Sequence, residues 1–174
     1  YMRDPETLAR PWAHTGLKGY EHRLGGLEKT DGAGVVSHDP ENHELMSRLR
    51  AEKVARVASE IPPTKVYGPT EGELLVVGWG STFGAITQAV NEAGKTGLQV
   101  SSVHIKYMNP LPPDLGTVLR RFRKILVPEE NFGQFRMMLR AAYAVEPVGL
   151  NKVQGQALNS DEVLVKIKEI LRGN

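Results

Sequence analysis

Cysteine is absent from the 174 residues of this chain. The absence excludes a disulfide framework, a thiolate zinc site and a cysteine-ligated iron–sulfur cluster built from these residues. Long apolar runs are also missing: no stretch approaches the roughly 20 apolar residues of a membrane span, and the first residues lack the pattern of a signal peptide. We therefore expect a soluble, cytoplasmic protein with no membrane partner.

Neither sign of charge dominates the chain. Its 22 lysines and arginines and 20 aspartates and glutamates leave a formal net charge of +2, without a basic run. This balance argues against nucleic acid or an anionic membrane as a partner. The composition, 40% hydrophobic and 24% charged, suits one globular domain with an additional segment. Because the first residue is Tyr1 rather than methionine, we interpret the chain as a piece of a longer protein.

Residues 1 to about 40 show no sustained apolar periodicity, and glycine, proline, histidine and charged residues recur through them. This arm nevertheless carries large apolar side chains, namely Trp12, Leu17, Tyr20, Leu24 and Leu27. A long irregular segment of this kind is usually functional, disordered or laid across another surface, and the apolar residues favour the third interpretation. We expect a partner to cover the arm, either a different subunit or a second copy of the chain.

A helix is predicted next, in the stretch ENHELMSRLRAEKVARVASEI, and Pro62 and Pro63 end it. Its apolar residues lie near helical spacing, so the helix is expected to be amphipathic. They are Leu45, Leu49, Val54, Val57 and Ile61.

From residue 74 onward, apolar strands alternate with amphipathic helices of about ten residues. This rhythm predicts right-handed crossovers and a mostly parallel sheet covered on both faces, a three-layer α/β sandwich. Asn159 or Ser160 is expected to cap the last helix. We divide the chain into an extended arm with a linking helix, residues 1–70, and an α/β domain, residues 71–174.

The stretch LLVVGWGSTFG places Gly78, Gly80 and Gly84 between the first strand and its helix, where backbone N–H groups could hold a phosphate. The next strand ends without the acidic residue that would bind a ribose hydroxyl, and Lys106 is a weak substitute for a 2′-phosphate contact. We therefore favour the interpretation that these glycines allow a tight turn and close packing of the helix. A small NADP-binding, Rossmann-like domain is the alternative.

Polar side chains follow three of the predicted strands. In a parallel sheet the carboxyl ends of the strands share one edge, where ligands or partners are met. We predict that this edge contacts another subunit through Ser81, Thr82, Asn109, Glu129, Asn131 and Gln134. Glu129 and Glu130 are interpreted as solvated or interface acids, because no nucleophile or orienting histidine accompanies them. We assign no catalytic residue, no cofactor-binding residue and no metal ligand.

Four of the five histidines, His14, His22, His38 and His43, lie in the arm or at its end. They lack the i, i+4 pairing of a metal site, so surface or interface positions are favoured. His104 lies within the second predicted strand and is expected to be a hydrogen-bonded packing residue.

Taken in order, several motifs resemble one family. They are GYEHRLGGLEK, VSHDPENHELMSRLRAEKV, LLVVGWGSTFGAI, HIKYMNPLPPDLG, ILVPEENFGQ and NKVQG. Together they resemble the C-terminal part of the α subunit of 2-oxoacid:ferredoxin oxidoreductases, most closely the 2-oxoglutarate type. The resemblance covers nearly the whole chain.

The resemblance implies a thiamine-diphosphate enzyme that converts a 2-oxoacid and coenzyme A to an acyl-CoA and carbon dioxide and passes electrons to ferredoxin. It places the diphosphate, magnesium and iron–sulfur sites in the β subunit, the expected partner. It further implies a domain similar to the C-terminal domain of transketolase, in which the glycine turn serves packing. The domain would be architectural, and the isolated fragment is expected to be inactive.

Overall fold

A computed structural model describes residues 1–22 and 25–173 of the chain. Leu24, one of the apolar arm residues, lies outside the described residues. The chain divides into two compact units, Tyr1–Ile61 and Pro62–Asn174. No helix in the described part of the chain is long and apolar enough to cross a bilayer. The domain division proposed at residues 70 and 71 stays a prediction.

The first unit combines irregular chain with one long helix, α1 (Pro40–Arg56), which a short 3₁₀ turn, Val57–Glu60, extends. The helix begins one residue before the predicted stretch: the Asp39 carboxylate accepts the N–H of Asn42 at 2.7 Å, and Pro40 fits the first turn, where no N–H is needed. The predicted helix is therefore confirmed.

Most of the apolar side chains that the sequence places on α1 are exposed in this chain. Leu45, Val54 and Val57 are exposed, and Met46 is the buried residue of the helix. The reason is that polar groups make much of the contact between α1 and the arm. Arg56, for example, donates to the carbonyl oxygen of Pro5 at 2.7 Å.

The second unit contains a five-stranded sheet in the order β1-β3-β2-β4-β5. The strands are β1 (Val66–Tyr67), β2 (Gly72–Trp79), β3 (Val100–Ile105), β4 (Phe122–Glu129) and β5 (Val148–Asn151). All neighbours pair in parallel except β1, which runs antiparallel to β3 along the edge. The two residues of β1 were not predicted as a strand, because so short a run shows no periodicity.

Four helices cover the sheet: α2 (Phe83–Lys95), α3 (Leu115–Leu119), α4 (Gln134–Tyr143) and α5 (Ser160–Arg172). Alternation along β2 sends Leu74 and Val76 into the core under α2 and α5, and Leu75 and Val77 into the core under α3 and α4. The predicted three-layer α/β sandwich with a mostly parallel sheet is thus confirmed.

Two helix ends refine the sequence expectations. Helix α3 spans five residues, about half the length expected of the helices between the strands. Of the two candidate caps of α5, Asn159 is the one that acts: its side chain accepts the N–H of Glu162, and the Glu162 carboxylate accepts the N–H of Asn159, both at 2.9 Å.

Candidate functional site

The strand order creates a switch point between β2 and β4. The connection after β2 runs through α2 on one face of the sheet, and the connection after β4 runs through α4 on the other. In open parallel sheets, ligands bind in the crevice at the carboxyl ends of two such strands. The turns at Gly80–Thr82 and 130–133 border this crevice. We call these two turns, together with the residues that follow β3 and β5, the strand-end edge.

Glu130 bridges the switch point. Its Oε2 accepts a hydrogen bond from Ser81 Oγ at 2.8 Å, and its Oε1 accepts the backbone N–H of Leu158, in the loop before α5, at 2.9 Å. One carboxylate therefore joins the turn after β2, the turn after β4 and the loop that leads into the last helix. This arrangement fastens the turns to each other at the place where many related folds hold a ligand.

Glu129 lies inside the protein, which corrects its interpretation as a solvated or interface acid. Its side chain is 0% exposed. The carboxylate accepts the backbone N–H of Phe135 and that of Arg136, both at 2.9 Å. These donors belong to the first turn of α4, where backbone N–H groups lack helical partners and a negative charge is favoured. The side chain points into the protein because β4 places residue 129 on the face that α4 covers.

The glycine turn is organised by packing. A Cβ at Gly78 would clash with the Cδ1 atom of Ile86 and would lie 2.9 Å from Thr82 Oγ1. Thr82 is buried, and its hydroxyl donates to the carbonyl oxygen of Trp79 at 2.8 Å. Gly80 has a positive φ of 57°. The first glycine thus admits α2 close to the strand, which is the interpretation that the sequence favoured.

The other predicted contact residues remain near the surface. Gln134 and Asn109 are exposed, and Asn131 is partly buried. The Asn131 side chain accepts the N–H of Gly133 at 2.7 Å and so shapes the turn before α4. Ser81 is exposed despite its bond to Glu130. Four of the six candidate side chains are therefore exposed or partly exposed, and two, Thr82 and Glu129, are buried.

Sequence reasoning missed two features of this edge. Phe132, between Asn131 and Gly133, is 77% exposed. The PEENFGQ motif does not indicate that its aromatic residue is exposed. Asn151, the last residue of β5, donates from Nδ2 to the carbonyl oxygen of Asn131 at 2.9 Å. The parallel pairing of β4 with β5 brings these residues together, and spacing along the chain does not reveal that pairing.

His104 departs from the expectation of a hydrogen-bonded packing residue. Its Nδ1 is shielded from solvent and has no hydrogen-bond partner among the described residues. The ring instead meets the ring of Phe83 edge-on, with centroids 5.0 Å apart. Burial, followed by the positive charge of Lys106, lowers the pKa of the imidazole from its usual value. Both effects favour the neutral ring, which is a packing group on β3.

The remaining histidines are exposed side chains: His14, His22, His38 and His43. His43 Nδ1 lies 2.8 Å from a Glu28 oxygen, and His22 Nδ1 lies 2.7 Å from the carbonyl oxygen of Tyr20. Within residues 1–22 and 25–173, no group of three His, Asp or Glu side chains is arranged to hold a metal ion.

Comparison with known proteins gives a consistent result. The chain is 44% identical over 174 residues to the 2-oxoglutarate oxidoreductase subunit KorA of Mycobacterium tuberculosis, covering 99% of this chain and 26% of that subunit. It is 28% identical over 151 residues to the α subunit of a 2-oxoacid:ferredoxin oxidoreductase from Saccharolobus solfataricus, covering 83% of this chain and 24% of that one. No protein-family model matches.

A solved structure extends the likeness to three dimensions. It is the 2-oxoglutarate:ferredoxin oxidoreductase from Magnetococcus marinus with 2-oxoglutarate, coenzyme A and succinyl-CoA bound. It matches 97% of this chain with a TM-score of 0.86 and 28% identity, and the match covers 30% of that protein's chain. This chain thus spans about a quarter to a third of the proteins it resembles, and over that span it belongs to the α-subunit family of the 2-oxoacid:ferredoxin oxidoreductases.

Proposed function

We propose that this chain serves as a scaffold and assembly unit in the α subunit of a thiamine-diphosphate-dependent 2-oxoglutarate:ferredoxin oxidoreductase. The observation that carries the proposal is the structural match to the Magnetococcus marinus enzyme, a TM-score of 0.86 over 97% of this chain. The 44% identity to a 2-oxoglutarate oxidoreductase subunit favours the 2-oxoglutarate type within the family. A cytoplasmic location stays a prediction.

The complete enzyme would convert 2-oxoglutarate and coenzyme A to succinyl-CoA and carbon dioxide, with two electrons passing to ferredoxin. Thiamine diphosphate would supply the carbanion chemistry and an iron–sulfur cluster the electron transfer. The strand-end carboxylates of this chain do not fit a magnesium-diphosphate site, because all four oxygens of Glu129 and Glu130 already accept hydrogen bonds from the protein. The chain would contribute by fixing the positions of the parts around it.

We place the subunit contact on the exposed part of the strand-end edge. Asn109 and Gln134 have exposed side-chain amides there, and Phe132 adds apolar surface. Thr82 and Glu129 support this surface from inside, since their polar atoms bind the turn after β2 and the start of α4. An exposed aromatic ring with polar groups around it is a common composition of a protein interface.

Assembly is tested with the complete α subunit, coexpressed with its β subunit. Replacing Asn109 and Gln134 together by alanine should weaken α–β association by tenfold or more, because each lost desolvated hydrogen bond typically costs about 1 kcal/mol or more. Association is measured by analytical ultracentrifugation. Ferredoxin reduction with 2-oxoglutarate and coenzyme A is followed on the same samples, and both should fall together.

The matched control replaces Gln88 and Asn91, two exposed amides on α2, by alanine. This pair should leave association and turnover unchanged, since exposed groups outside the edge make no contact with the partner in this proposal. Normal assembly of the Asn109 and Gln134 variant would remove the strand-end edge as the contact surface. Failure of the wild-type complex to turn over any 2-oxoacid would contradict the proposed reaction itself.

A further inference from the structure

A cavity of about 470 Å³ lies within the first unit, between the arm and α1. Its polar lining is mostly basic. The ionisable side chains are Tyr1, Arg3, Arg10, Lys29, His43, Arg50 and one carboxylate, Glu28. Neither the strand-end edge nor the assembly role uses this cavity, so the inference drawn from it stands apart from the proposed function.

The single carboxylate of the lining is already neutralised. Arg50 donates to Glu28 Oε1 at 2.8 Å and to Oε2 at 3.2 Å, and His43 Nδ1 lies 2.8 Å from Oε2. The hydrogen bonds from Arg50, and after them that from His43, lower the Glu28 pKa to about 2. The positive charges of Arg3, Arg10 and Lys29 are therefore left without a carboxylate partner in the lining.

Two guanidinium groups of the cavity hold N–H donors that are shielded from solvent. The Nε atoms of Arg3 and Arg10 have no hydrogen-bond partner among the described residues. A buried donor that lacks an acceptor destabilises the fold, and it does so more strongly when the group is charged. Burial, and then the like charge of Arg10, lower the Arg3 pKa, while Asp31 opposes this effect. An anion in the cavity would relieve the repulsion between the two guanidinium groups.

The protein holds these groups in place before any ligand arrives. Arg3 Nη1 donates to the carbonyl oxygen of Leu8 at 2.9 Å, which fixes the side chain against the turn that follows it. The Asp4 carboxylate orders that turn by accepting the N–H of Thr7 at 2.7 Å. Arg10 lies over the ring of Tyr1, 5.0 Å from its centroid. Groups fixed in this way lose little entropy when they bind an anion.

The charge and size of the cavity indicate the ligand class. Planar guanidinium groups bind phosphate oxygens with paired hydrogen bonds, and a lysine adds a point charge. Three positive charges that form no ion pair within the cavity lining match a diphosphate better than a single carboxylate. A volume of about 470 Å³ also exceeds the space that an inorganic ion needs and lies in the range of organic ligand sites. We propose that the cavity between the arm and α1 binds an organic diphosphate.

The test uses adenosine 5′-diphosphate as the probe and the wild-type chain, with binding measured by isothermal titration calorimetry. Saturable binding is expected, weakening as salt is raised. Adenosine, which lacks phosphate, should bind at least tenfold more weakly. Arg10→Gln should weaken binding of the diphosphate at least tenfold. The matched control is Arg48→Gln, an exposed arginine of α1 outside the cavity that pairs with Glu44, which should change binding less than twofold.

Circular dichroism establishes that each variant is folded. If Arg10→Gln is unfolded, Lys29→Gln replaces it in the same comparison. The proposal is overturned if the diphosphate shows no saturable binding, if adenosine binds equally well, or if Arg48→Gln loses as much affinity as Arg10→Gln. Tighter binding of a hexaglutamate peptide than of the diphosphate would also overturn it, in favour of an acidic protein segment. None of these outcomes depends on catalytic turnover.

Discussion

At the scale of single residues, Gly78 and Gly84 share one turn motif but have different surroundings. The space beside Gly78 is filled by Ile86 and Thr82, whereas nothing lies within 4 Å of a Cβ at Gly84, in the first turn of α2. We expect Gly78→Ala to destabilise the chain by about 1 to 3 kcal/mol through overpacking. Gly84→Ala should stabilise it by about 0.5 to 1 kcal/mol, because alanine favours the helix.

Urea unfolding followed by circular dichroism measures both changes, with the midpoint shifting at constant slope. The opposite signs are the informative feature, since each variant is the control for the other. Equal destabilisation by both substitutions would show that the turn needs flexibility throughout, instead of close packing at its first glycine.

At the scale of elements, the start of α4 depends on a side chain from the strand before it. The residue preceding α4 is Gly133, with φ of 95°, and it has no side chain to cap the helix. Glu129, at the end of β4, supplies the acceptors instead. Glu129→Ala leaves two N–H groups unpaired, one of them buried, so it should cost about 2 to 4 kcal/mol.

Glu129→Gln retains one acceptor oxygen, so a smaller loss of stability is expected. Gln134→Ala, at the exposed first position of α4, is the control and should stay within about 0.5 kcal/mol. Thermal unfolding of the three variants gives the order of their stabilities. A Glu129→Ala variant as stable as the control would show that water replaces the carboxylate, and that the strand does not hold the helix.

At the scale of the whole molecule, the arm exposes large apolar side chains. Trp12 is 91% exposed, and Leu17, Tyr20 and Leu27 are also exposed. That a partner covers the arm stays a prediction. We expect acrylamide to quench Trp12 fluorescence readily in the free α subunit with Trp79→Phe, and several-fold less after the β subunit is added.

The reverse variant, Trp12→Phe, leaves Trp79 as the reporter from this chain. Trp79 is already partly buried against the core beneath α3 and α4, so its quenching should change less on assembly than that of Trp12. The fluorescence of the remaining tryptophans of the complex is measured with a variant in which both Trp12 and Trp79 are replaced by phenylalanine, and it is subtracted. Unchanged quenching of Trp12 on assembly would exclude the β subunit as the cover of the arm and would favour a second copy of the chain.

The sequence by itself determined the order and type of the main elements. The strands and helices from β2 to α5 carry periodic apolar patterns, and α1 and α5 have side-chain caps three residues from the amides they bind. Such signals are local, so they can be read without knowing which elements meet. The family motifs are likewise short stretches in a fixed order, which is why the resemblance agrees with the later comparisons.

Only the tertiary structure decided which polar groups face inward. Glu129 and Glu130 are adjacent in sequence, yet one caps α4 from inside and the other joins Ser81 to Leu158 across the switch point. Likewise, the basic cavity brings Arg50 together with Arg3 and Arg10, from which it is distant in the sequence. The burial of a side chain and its hydrogen-bond partners depend on contacts between residues far apart in sequence. The alternation of a strand determines which face a side chain lies on, but it does not determine what packs against that face.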